Sequence, residues 1–501
     1  MPAISLRSRS DRETDLSDTG KQTRRIAYGT AARVGGRVLG AIISLVALRE
    51  ATRYFGPLQW GPITAALAWV TVFSFLGAPG VATLTMREIA KPDADAQTAF
   101  GRAIVATIAV SLGAGVAAVA LGLPVYWGRT ETVEMVLILA PGIPLMALFI
   151  TSGSVLVGRG RSGSRASLDT ISSVFLLAAT LVVVEDHLHA RGYALAYLIS
   201  VIASGVIALA LARQVVQPKF RGSRHGLAGT LRASLPFGQF DLFAVVYARA
   251  DSIMLYLIRG SRPVALYGVA FQIATFLFAM PVLLSNALLP EFMSSSDERR
   301  QFLARRALDV ILTVALPLPL FGALFARPFV VWIAGARFAG AGPPLAILTG
   351  AGAIALLNGY LFQMVIFVGA EQRLWRVIGT VTTANLAANA VAVTLWGADG
   401  AAAVMILSEV IGLTMYWTLY KTKMPSPLGR RYPLSVVAAS LGLLAIWLIL
   451  KTVFAFGATT GLSIVPAALA LGAIYAALLV SITFVARQIA RRQSRRVAPR
   501  T

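Results

Sequence analysis

The chain contains no cysteine and only three histidines among its 501 residues. Disulfides, thiolate metal sites and cysteine nucleophiles are therefore excluded. The histidines, His187, His189 and His225, fall between the apolar runs, where such side chains are more often solvated than bound to a metal. We expect neither a metal nor a cofactor.

Charged residues are also scarce. They make up 13% of the chain and hydrophobic residues 57%, whereas soluble domains are roughly 25% charged and about 45–50% apolar. This composition predicts a membrane protein. A net charge of +23 usually suggests a nucleic-acid partner. Here Lys and Arg lie almost wholly between apolar runs and form no compact basic face, so we expect no nucleic acid.

Each membrane span needs about 20 mostly apolar residues, and the sequence contains about fourteen such runs. They cover residues 27–48, 61–84, 103–126, 132–156, 166–184, 192–212, 233–258, 264–290, 307–326, 343–368, 374–396, 400–420, 434–456 and 461–486. The sequence therefore predicts an all-α integral membrane protein with about 14 transmembrane helices.

The positive charges orient these spans. If both termini are cytoplasmic, and Arg376 and Lys451 near span ends are counted with the adjacent loops, the cytoplasmic segments hold 33 of the 45 Lys and Arg residues and the opposite loops hold 9. Cytoplasmic loops collect Lys and Arg, so the split supports an even number of spans. The first 25 residues lack the apolar core of a cleavable signal peptide. We expect a multi-pass protein of the bacterial inner membrane with cytoplasmic N- and C-termini.

The chain repeats itself weakly. Glycines that begin or end spans in the first half recur 207 to 211 residues later, as Gly61 and Gly268, Gly158 and Gly369, and Gly192 and Gly400. Two pseudo-symmetric six-helix lobes in the same orientation are typical of transporters that rock around a central cavity. Alternatively, the matched glycines are a coincidence, because small residues begin and end many membrane helices.

These patterns predict seven segments. They are a polar cytoplasmic N-terminus (1–26), an N-terminal six-helix lobe (27–213), a cytoplasmic linker (214–232), a C-terminal six-helix lobe (233–420), a cytoplasmic loop (421–433), appended helices 13 and 14 (434–486) and a basic cytoplasmic tail (487–501). The tail most simply anchors the last helix at an anionic leaflet.

Three arginines fall well inside predicted spans, more than two residues from either end, where each costs about 2.5–3.5 kcal/mol unless it faces protein or water or snorkels. Arg33 lies close enough to the start of span one to snorkel to the headgroups. Arg37 lies one turn deeper on the same face. Arg249 in span seven either pairs with the nearby Asp251 to pack the helix or lines a cavity that attracts an anionic head group.

Acidic residues also fall inside or close to the spans. Asp241, Asp251 and Glu409 are candidates for coupling a proton or sodium ion, because intramembrane carboxylates often mark ion pathways. Asp169 and Asp309 are weaker candidates of the same kind.

The signals of an enzyme are weak. Residues 158–164, GRGRSGS, lack the lysine of a phosphate loop and follow a membrane span. A glycan polymerase or ligase would be expected to carry catalytic groups on a large external loop, and the longest external connection that we predict is 327–342. We therefore expect no enzyme.

Short motifs follow one another in a recognisable order. In the first half they are Tyr54-Phe55-Gly56-Pro57, Gly61, Leu76-Gly77, Gly80 and Arg87-Glu88-Ile89-Ala90. In the second half they are Asp251, Tyr267-Gly268, Ala270, Pro281, Pro290, Trp332, Gly335, Phe338, Leu345, Gly369, Asn385, Asn389, Gly397, Gly400, Ala401, Ala402 and Glu409. Most of residues 25–425 resembles the bacterial polysaccharide and O-antigen flippases of the multidrug/oligosaccharidyl-lipid/polysaccharide exporter superfamily.

This resemblance implies a transporter that moves a polyprenyl-pyrophosphate-linked oligosaccharide to the periplasmic leaflet by alternating access, driven by proton or sodium entry. Arg33, Arg37 and Arg249 would meet the pyrophosphate or acidic sugars. Membrane lipids and glycan polymerases or glycosyltransferases are the implied partners. The alternatives are a peptidoglycan-precursor flippase, a multidrug exporter of the same superfamily, a polysaccharide polymerase and a structural membrane subunit. Of these, the multidrug exporter would favour an acidic cavity.

Overall fold

A computed structural model describes residues 9–92, 95–220, 226–294, 297–367 and 369–421. Within these ranges every regular element is helical, as the sequence predicts. The α-helices are α1 (Arg9–Leu76), α2 (Val81–Ile89), α3 (Ala96–Val125), α4 (Thr130–Leu139), α5 (Ile143–Gly158), α6 (Ser162–Glu185), α7 (Ala190–Val215), α8 (Leu227–Arg259), α9 (Ser261–Ser294), α10 (Asp297–Ala315), α11 (Leu318–Ala334), α12 (Gly342–Phe367) and α13 (Leu374–Lys421).

Eight stretches of helix in the described ranges are long and apolar enough to cross a membrane. Their outward faces are rich in exposed apolar side chains, such as Leu112, Val116 and Ile199, as expected for surfaces that contact lipid. The protein is thus a multi-pass membrane protein. Predicted spans thirteen and fourteen lie outside the described residues.

Two of the helices each contain two predicted spans. Within α1 the backbone leaves the helical region at Gly56 (φ 69°, ψ 173°), and within α13 it does so at Gly397 (φ 58°, ψ −128°). Only glycine adopts these angles without strain. A single glycine therefore separates spans one and two, and another separates spans eleven and twelve.

Replacing Gly397 with alanine is expected to destabilise the protein by about 1–3 kcal/mol through backbone strain alone, because a Cβ there would meet no atom within 4 Å. The matched control is Gly113→Ala in α3, where a Cβ also meets nothing within 4 Å but the backbone is helical and alanine is favoured. Thermal unfolding in detergent should show a lower midpoint for Gly397→Ala only, and equal midpoints would contradict the strain.

The internal repeat is visible in the turns. Eight of the nine described residues with positive φ form four pairs, 204 to 210 residues apart. The pairs are Gly56 and Gly260, Gly128 and Gly335, Gly160 and Gly369, and His187 and Gly397. Matching turns after matching helices support the two-lobe architecture. Of the glycine pairs that indicate the repeat in the sequence, only one includes a residue of these turns, Gly369.

The structure corrects several predicted boundaries. Predicted span four is broken at the 3₁₀ turn Ala140–Gly142. Predicted span nine, 307–326, belongs to two helices, α10 and α11, which together cover 297–334 with a break near Pro317. The supposed external loop 327–342 is mostly helical for the same reason, because apolar residues continue to Ala334 and a 3₁₀ helix follows at Ala336–Ala341.

The lobes meet along α1. This helix packs on α6 within the N-terminal lobe and on α8 and α9 of the C-terminal lobe. Small residues permit the close approach between lobes. A Cβ on Gly61 would collide with the backbone of Ser261, and one on Gly268 would lie 2.6 Å from Cγ2 of Thr64. The helices around α1 therefore form the walls of any space between the lobes.

Candidate functional site

A cavity of about 540 Å³ lies between the two lobes. Its N-terminal-lobe wall comes from α1, α6 and α7, and its C-terminal-lobe wall from α8 and α9. The polar and aromatic lining residues are Ser44, Trp60, Thr64, Thr71, Asp169, Ser173, Tyr193, Tyr197, Arg249, Ser252, Phe271, Gln272 and Thr275. The volume lies within the roughly 300–1,000 Å³ range of small-molecule sites.

Arg249 lies on the C-terminal-lobe wall of this cavity. Its guanidinium carbon is 5.9 Å from the centre of the Phe271 ring. Within the described residues, Arg249 forms no salt bridge. A partly exposed guanidinium on an aromatic ring is available to an anionic ligand.

Asp251 makes no salt bridge with Arg249, although the two residues are only two positions apart. Residues at i and i+2 of a helix do not face each other. Asp251 is 1% exposed and accepts hydrogen bonds from the hydroxyl of Tyr267 and from the amide of Ser252 at 2.7 Å. Asp251 thus lies behind the cavity wall, and the internal ion pair is not formed.

The other two predicted arginines lie on α1. The side chains of Arg33 and Arg37 are outside the described part of the structure. Their positions precede Gly40 and Ala41, which line the cavity. Arg37 is one helical turn before these residues, on the helix that forms the N-terminal-lobe wall.

Glu409 is the centre of a buried polar network in the C-terminal lobe. Its carboxylate accepts hydrogen bonds from the Tyr247 hydroxyl at 2.8 Å and from Asn358 Nδ2 at 2.6 Å. Nearby, Asn385 Nδ2 donates to Ser408 Oγ at 3.0 Å. The network joins α8, α12 and α13 and lies apart from the cavity lining.

The remaining acids have different surroundings. Asp241 accepts a hydrogen bond from the amide of Gly80 in the other lobe at 3.2 Å. Asp169 lines the cavity and pairs with Arg165 at 3.1 Å. Asp309 lies on α10 and is not part of the cavity lining. Of the predicted acids, only Asp169 faces the cavity directly.

Arg129 connects the lobes at the end of the bundle that contains the turns at Gly56, Gly128 and Gly260, which we call the outer end. Arg129 donates to the carbonyl oxygen of Leu257 at 2.7 Å and to that of Tyr256. Its guanidinium lies 4.5 Å from the centre of the Tyr256 ring. A cation at the carbonyl end of α8 is stabilised by the helix dipole.

Arg53 makes a second contact of the same kind at the outer end. It donates to the carbonyl oxygen of Trp332 at 2.9 Å and to that of Ile333 at 3.4 Å, in the last turn of α11. Both arginines belong to the N-terminal lobe and both acceptors to the C-terminal lobe. Together they hold the outer end closed.

The opposite end of the cavity, which we call the inner end, is also closed. A Cβ on Gly80 would collide with the carbonyl of Ser234 and the amide of Gly238. The Arg87 guanidinium lies 4.6 Å from the centre of the Phe237 ring. In this conformation the lobes therefore touch at both the outer and the inner end of the cavity.

Sequence reasoning identified Arg249 and missed most of the aromatic lining. Tyr193, Tyr197 and Phe271 line the cavity, but aromatic residues inside membrane helices are ordinary and carry no signal of their own. Trp60 directly precedes Gly61, which marks the internal repeat, but nothing in the sequence pointed to its side chain. A tyrosine inside a predicted span is a weak sign that its side chain faces a polar site, because its hydroxyl needs a hydrogen-bond partner.

Comparisons with known proteins agree with this architecture. The family model described as "Polysaccharide biosynthesis protein" matches residues 26–295, which is more than half of the chain. No curated protein matches the chain.

Solved structures share the fold. The lipid II flippase MurJ in an inward closed conformation superposes with a TM-score of 0.70 at 14% identity, over 93% of this chain and 99% of that one. An inward-facing multidrug resistance MATE transporter gives 0.59 at 16% identity, over 79% and 100%. A MOP superfamily transporter from Pyrococcus furiosus gives 0.51 at 14% identity, over 80% and 94%. The chain has the fold of these transporters and belongs to the polysaccharide biosynthesis protein family.

Proposed function

We propose that the protein is a flippase that translocates a polyprenyl-pyrophosphate-linked oligosaccharide across the bacterial inner membrane, for surface or exopolysaccharide biosynthesis. The observation that carries the proposal is the interlobe cavity with Arg249 in its wall and no salt bridge to that residue among the described side chains. Family membership supports a role in polysaccharide biosynthesis.

The chemistry of the cavity suits this cargo. Pyrophosphate offers several anionic oxygens, and a guanidinium binds such groups through two parallel charge-assisted hydrogen bonds. Arg37 and Arg33, which precede the cavity on α1, are proposed to meet the same group as it enters from the cytoplasmic leaflet. An exporter of cationic drugs would gain nothing from Arg249.

The contacts at the two ends of the cavity support alternating access. Cargo reaches the periplasmic leaflet when the outer end opens, so the contacts of Arg53 and Arg129 must break in each cycle. The inner end opens by separating Asp241 from Gly80. Arginines on helix carbonyls and a carboxylate on a backbone amide thus form the two gates of the proposed cycle.

The driving ion is proposed to act through buried carboxylates. Glu409 and Asp251 are each held by hydrogen bonds in the C-terminal lobe, and Asp241 lies at the inner gate. Protonation or sodium binding changes the charge of a carboxylate and therefore the strength of its hydrogen bonds. This links ion entry to the position of the lobes.

The gate hypothesis predicts that Arg129→Ala opens the outer end. Loss of charge-assisted hydrogen bonds shifts the population by about tenfold or more. The chain has no cysteine, so a single Ser252→Cys substitution in the cavity reports access alone. An impermeant maleimide added to the periplasmic side should label this cysteine about tenfold faster in the Arg129→Ala background.

Arg191→Ala is the matched control for the gate. Arg191 also lies near the outer end, but it pairs with Glu134 of its own lobe at 2.6 Å. Its removal should leave labelling unchanged. Equal labelling rates in the wild-type and Arg129→Ala backgrounds would contradict the gate.

The proposed function is tested by deleting the gene and extracting polyprenyl-linked intermediates, while staining cells for surface polysaccharide. Accumulation of one lipid-linked repeat unit with loss of one surface glycan is expected, and it identifies the cargo. Unchanged intermediates and glycans, with altered sensitivity to cationic compounds, would instead indicate a drug exporter.

A second candidate is translocation of a peptidoglycan precursor. The MurJ structure is covered over 99% of its length and is itself described as a lipid II flippase. The same extraction separates the two candidates. Accumulated lipid II with intact surface polysaccharide would favour the second.

A further inference from the structure

The threonine hydroxyls that α1 contributes to the cavity wall have already used their hydrogens. Thr64 donates to the Trp60 carbonyl at 2.9 Å, and Thr71 donates to the Leu67 carbonyl at 2.6 Å. A hydroxyl has one hydrogen and two acceptor lone pairs. After bonding to its own helix, each threonine presents only acceptors to the cavity.

The serines of the same wall behave in the same way. Ser44 donates to Ser173 Oγ at 3.0 Å, and Ser173 donates to the Asp169 carbonyl at 3.0 Å. The carboxylate of Asp169, which also lines the cavity, is an acceptor as well. The wall formed by α1 and α6 therefore presents a set of hydrogen-bond acceptors, which we call the acceptor wall (Ser44, Thr64, Thr71, Asp169 and Ser173).

The opposite wall differs because it carries Arg249, the one cationic side chain among the described lining residues, beside the hydroxyls of Ser252 and Thr275, which donate to Asp251 and to the Phe271 carbonyl. Arg249 presents a guanidinium, which donates and never accepts, and Gln272 adds an amide that can donate. A phosphate has only acceptor oxygens, so it is favoured at Arg249 and repelled by the acceptor wall. A sugar has many O–H donors, and the acceptor wall is complementary to it. Trp60 and Tyr197 also line the cavity, and aromatic rings pack well against the apolar face of a sugar ring.

Resting on the proposed function, we propose that the cavity is divided into two subsites: Arg249 holds the pyrophosphate, and the acceptor wall holds the first sugar attached to it. The roughly 540 Å³ of the cavity accommodates a unit of ordinary ligand size rather than a whole repeat unit. The first sugar is neutral and rich in hydroxyls, because an acidic sugar would place a carboxylate against the acceptors.

The proposal is tested with purified protein in nanodiscs and two probes. One is undecaprenyl pyrophosphate, and the other is undecaprenyl pyrophosphate carrying one neutral N-acetylhexosamine. Their dissociation constants are compared for the wild type and for the combined variant Thr64→Val, Thr71→Val, Ser173→Ala. These substitutions remove three acceptor oxygens and change side-chain volume little.

The wild type should bind the sugar-bearing probe more tightly. In the combined variant this preference should shrink about tenfold or more, since each lost hydrogen bond weakens binding several-fold, while the affinity for the sugar-free probe changes by less than about twofold. Thr71→Val alone should shrink the preference about threefold, and it replaces the combined variant if that variant folds poorly.

Thr52→Val is the control, because Thr52 donates to the Leu48 carbonyl on the same helix at 2.8 Å and does not line the cavity.

Three results have distinct meanings. A combined variant that keeps the wild-type preference, or that loses affinity equally for both probes, overturns the sugar subsite. A wild type that binds both probes equally also overturns it. A wild type that binds neither probe overturns the proposed function itself.

Discussion

Arg249→Ala is expected to reduce transport of the lipid-linked glycan about 100-fold, with normal membrane insertion. The guanidinium lies on the cavity wall, and Asp251, which could have neutralised it, is bonded elsewhere. Two charge-assisted hydrogen bonds to a phosphate are worth roughly 1.5–3 kcal/mol each, which corresponds to a factor of about 100 or more. Surface glycan and accumulated lipid-linked intermediates measure the loss in cells.

Three further variants sharpen this test. Arg249→Lys keeps the charge and loses the planar fork, so an intermediate defect is expected. Arg213→Ala removes an exposed arginine in the last turn of α7 and should transport normally. Arg37→Ala should impair transport as well, because this residue precedes the cavity on α1. Normal surface glycan from both Arg37→Ala and Arg249→Ala would contradict the role of the arginines.

Glu409→Ala is expected to destabilise the C-terminal lobe by about 3–5 kcal/mol. The substitution leaves the Tyr247 hydroxyl without its acceptor in a buried site and removes one of the two acceptors of Asn358 Nδ2, which also donates to the Glu409 carbonyl at 2.8 Å. Each buried polar group that loses a partner costs about 1–3 kcal/mol. A cavity of the lost side chain adds to the cost. Thermal unfolding in detergent and expression level measure the effect.

Glu409→Gln separates stability from ion coupling. Glutamine keeps the shape and one acceptor oxygen, so the folded protein should persist with a smaller loss of stability. It cannot change protonation, so transport should become insensitive to the proton or sodium gradient that drives the wild type. If transport by the Glu409→Gln variant depends on the gradient as fully as transport by the wild type, Glu409 does not take part in coupling. Asp251→Asn and Asp241→Asn would then become the next variants.

Much of the fold follows from the sequence because the bilayer limits the possibilities. Apolar runs of sufficient length must become helices, and the predicted runs of the described ranges lie mostly in helices, although runs two, four and nine are each divided between helices. The breaks were harder to predict. Pro317 breaks span nine as a proline can, yet Pro57 follows a turn that Gly56 alone makes possible. Local sequence does not show whether a proline bends a helix or merely begins the next one.

The candidate site was only partly predictable. Arg249 stands out because a charge inside an apolar run is costly, and the structure places it on the cavity wall. The pairing of Asp251 with Tyr267 depends on how α8 packs against α9, which no local pattern gives. The acceptor wall depends on which carbonyl each hydroxyl bonds, and that too is a property of the folded helices.

Translocation in purified vesicles tests the central claim most directly. The protein is reconstituted into proteoliposomes with a fluorescent polyprenyl-pyrophosphate-linked glycan, and an impermeant quencher added outside reports the glycan in the outer leaflet. The account predicts that glycan placed in the inner leaflet becomes quenchable with the wild type and about 100 times more slowly with Arg249→Ala. Equal rates in protein-free vesicles and in vesicles with the wild type, under an imposed proton or sodium gradient, would contradict it.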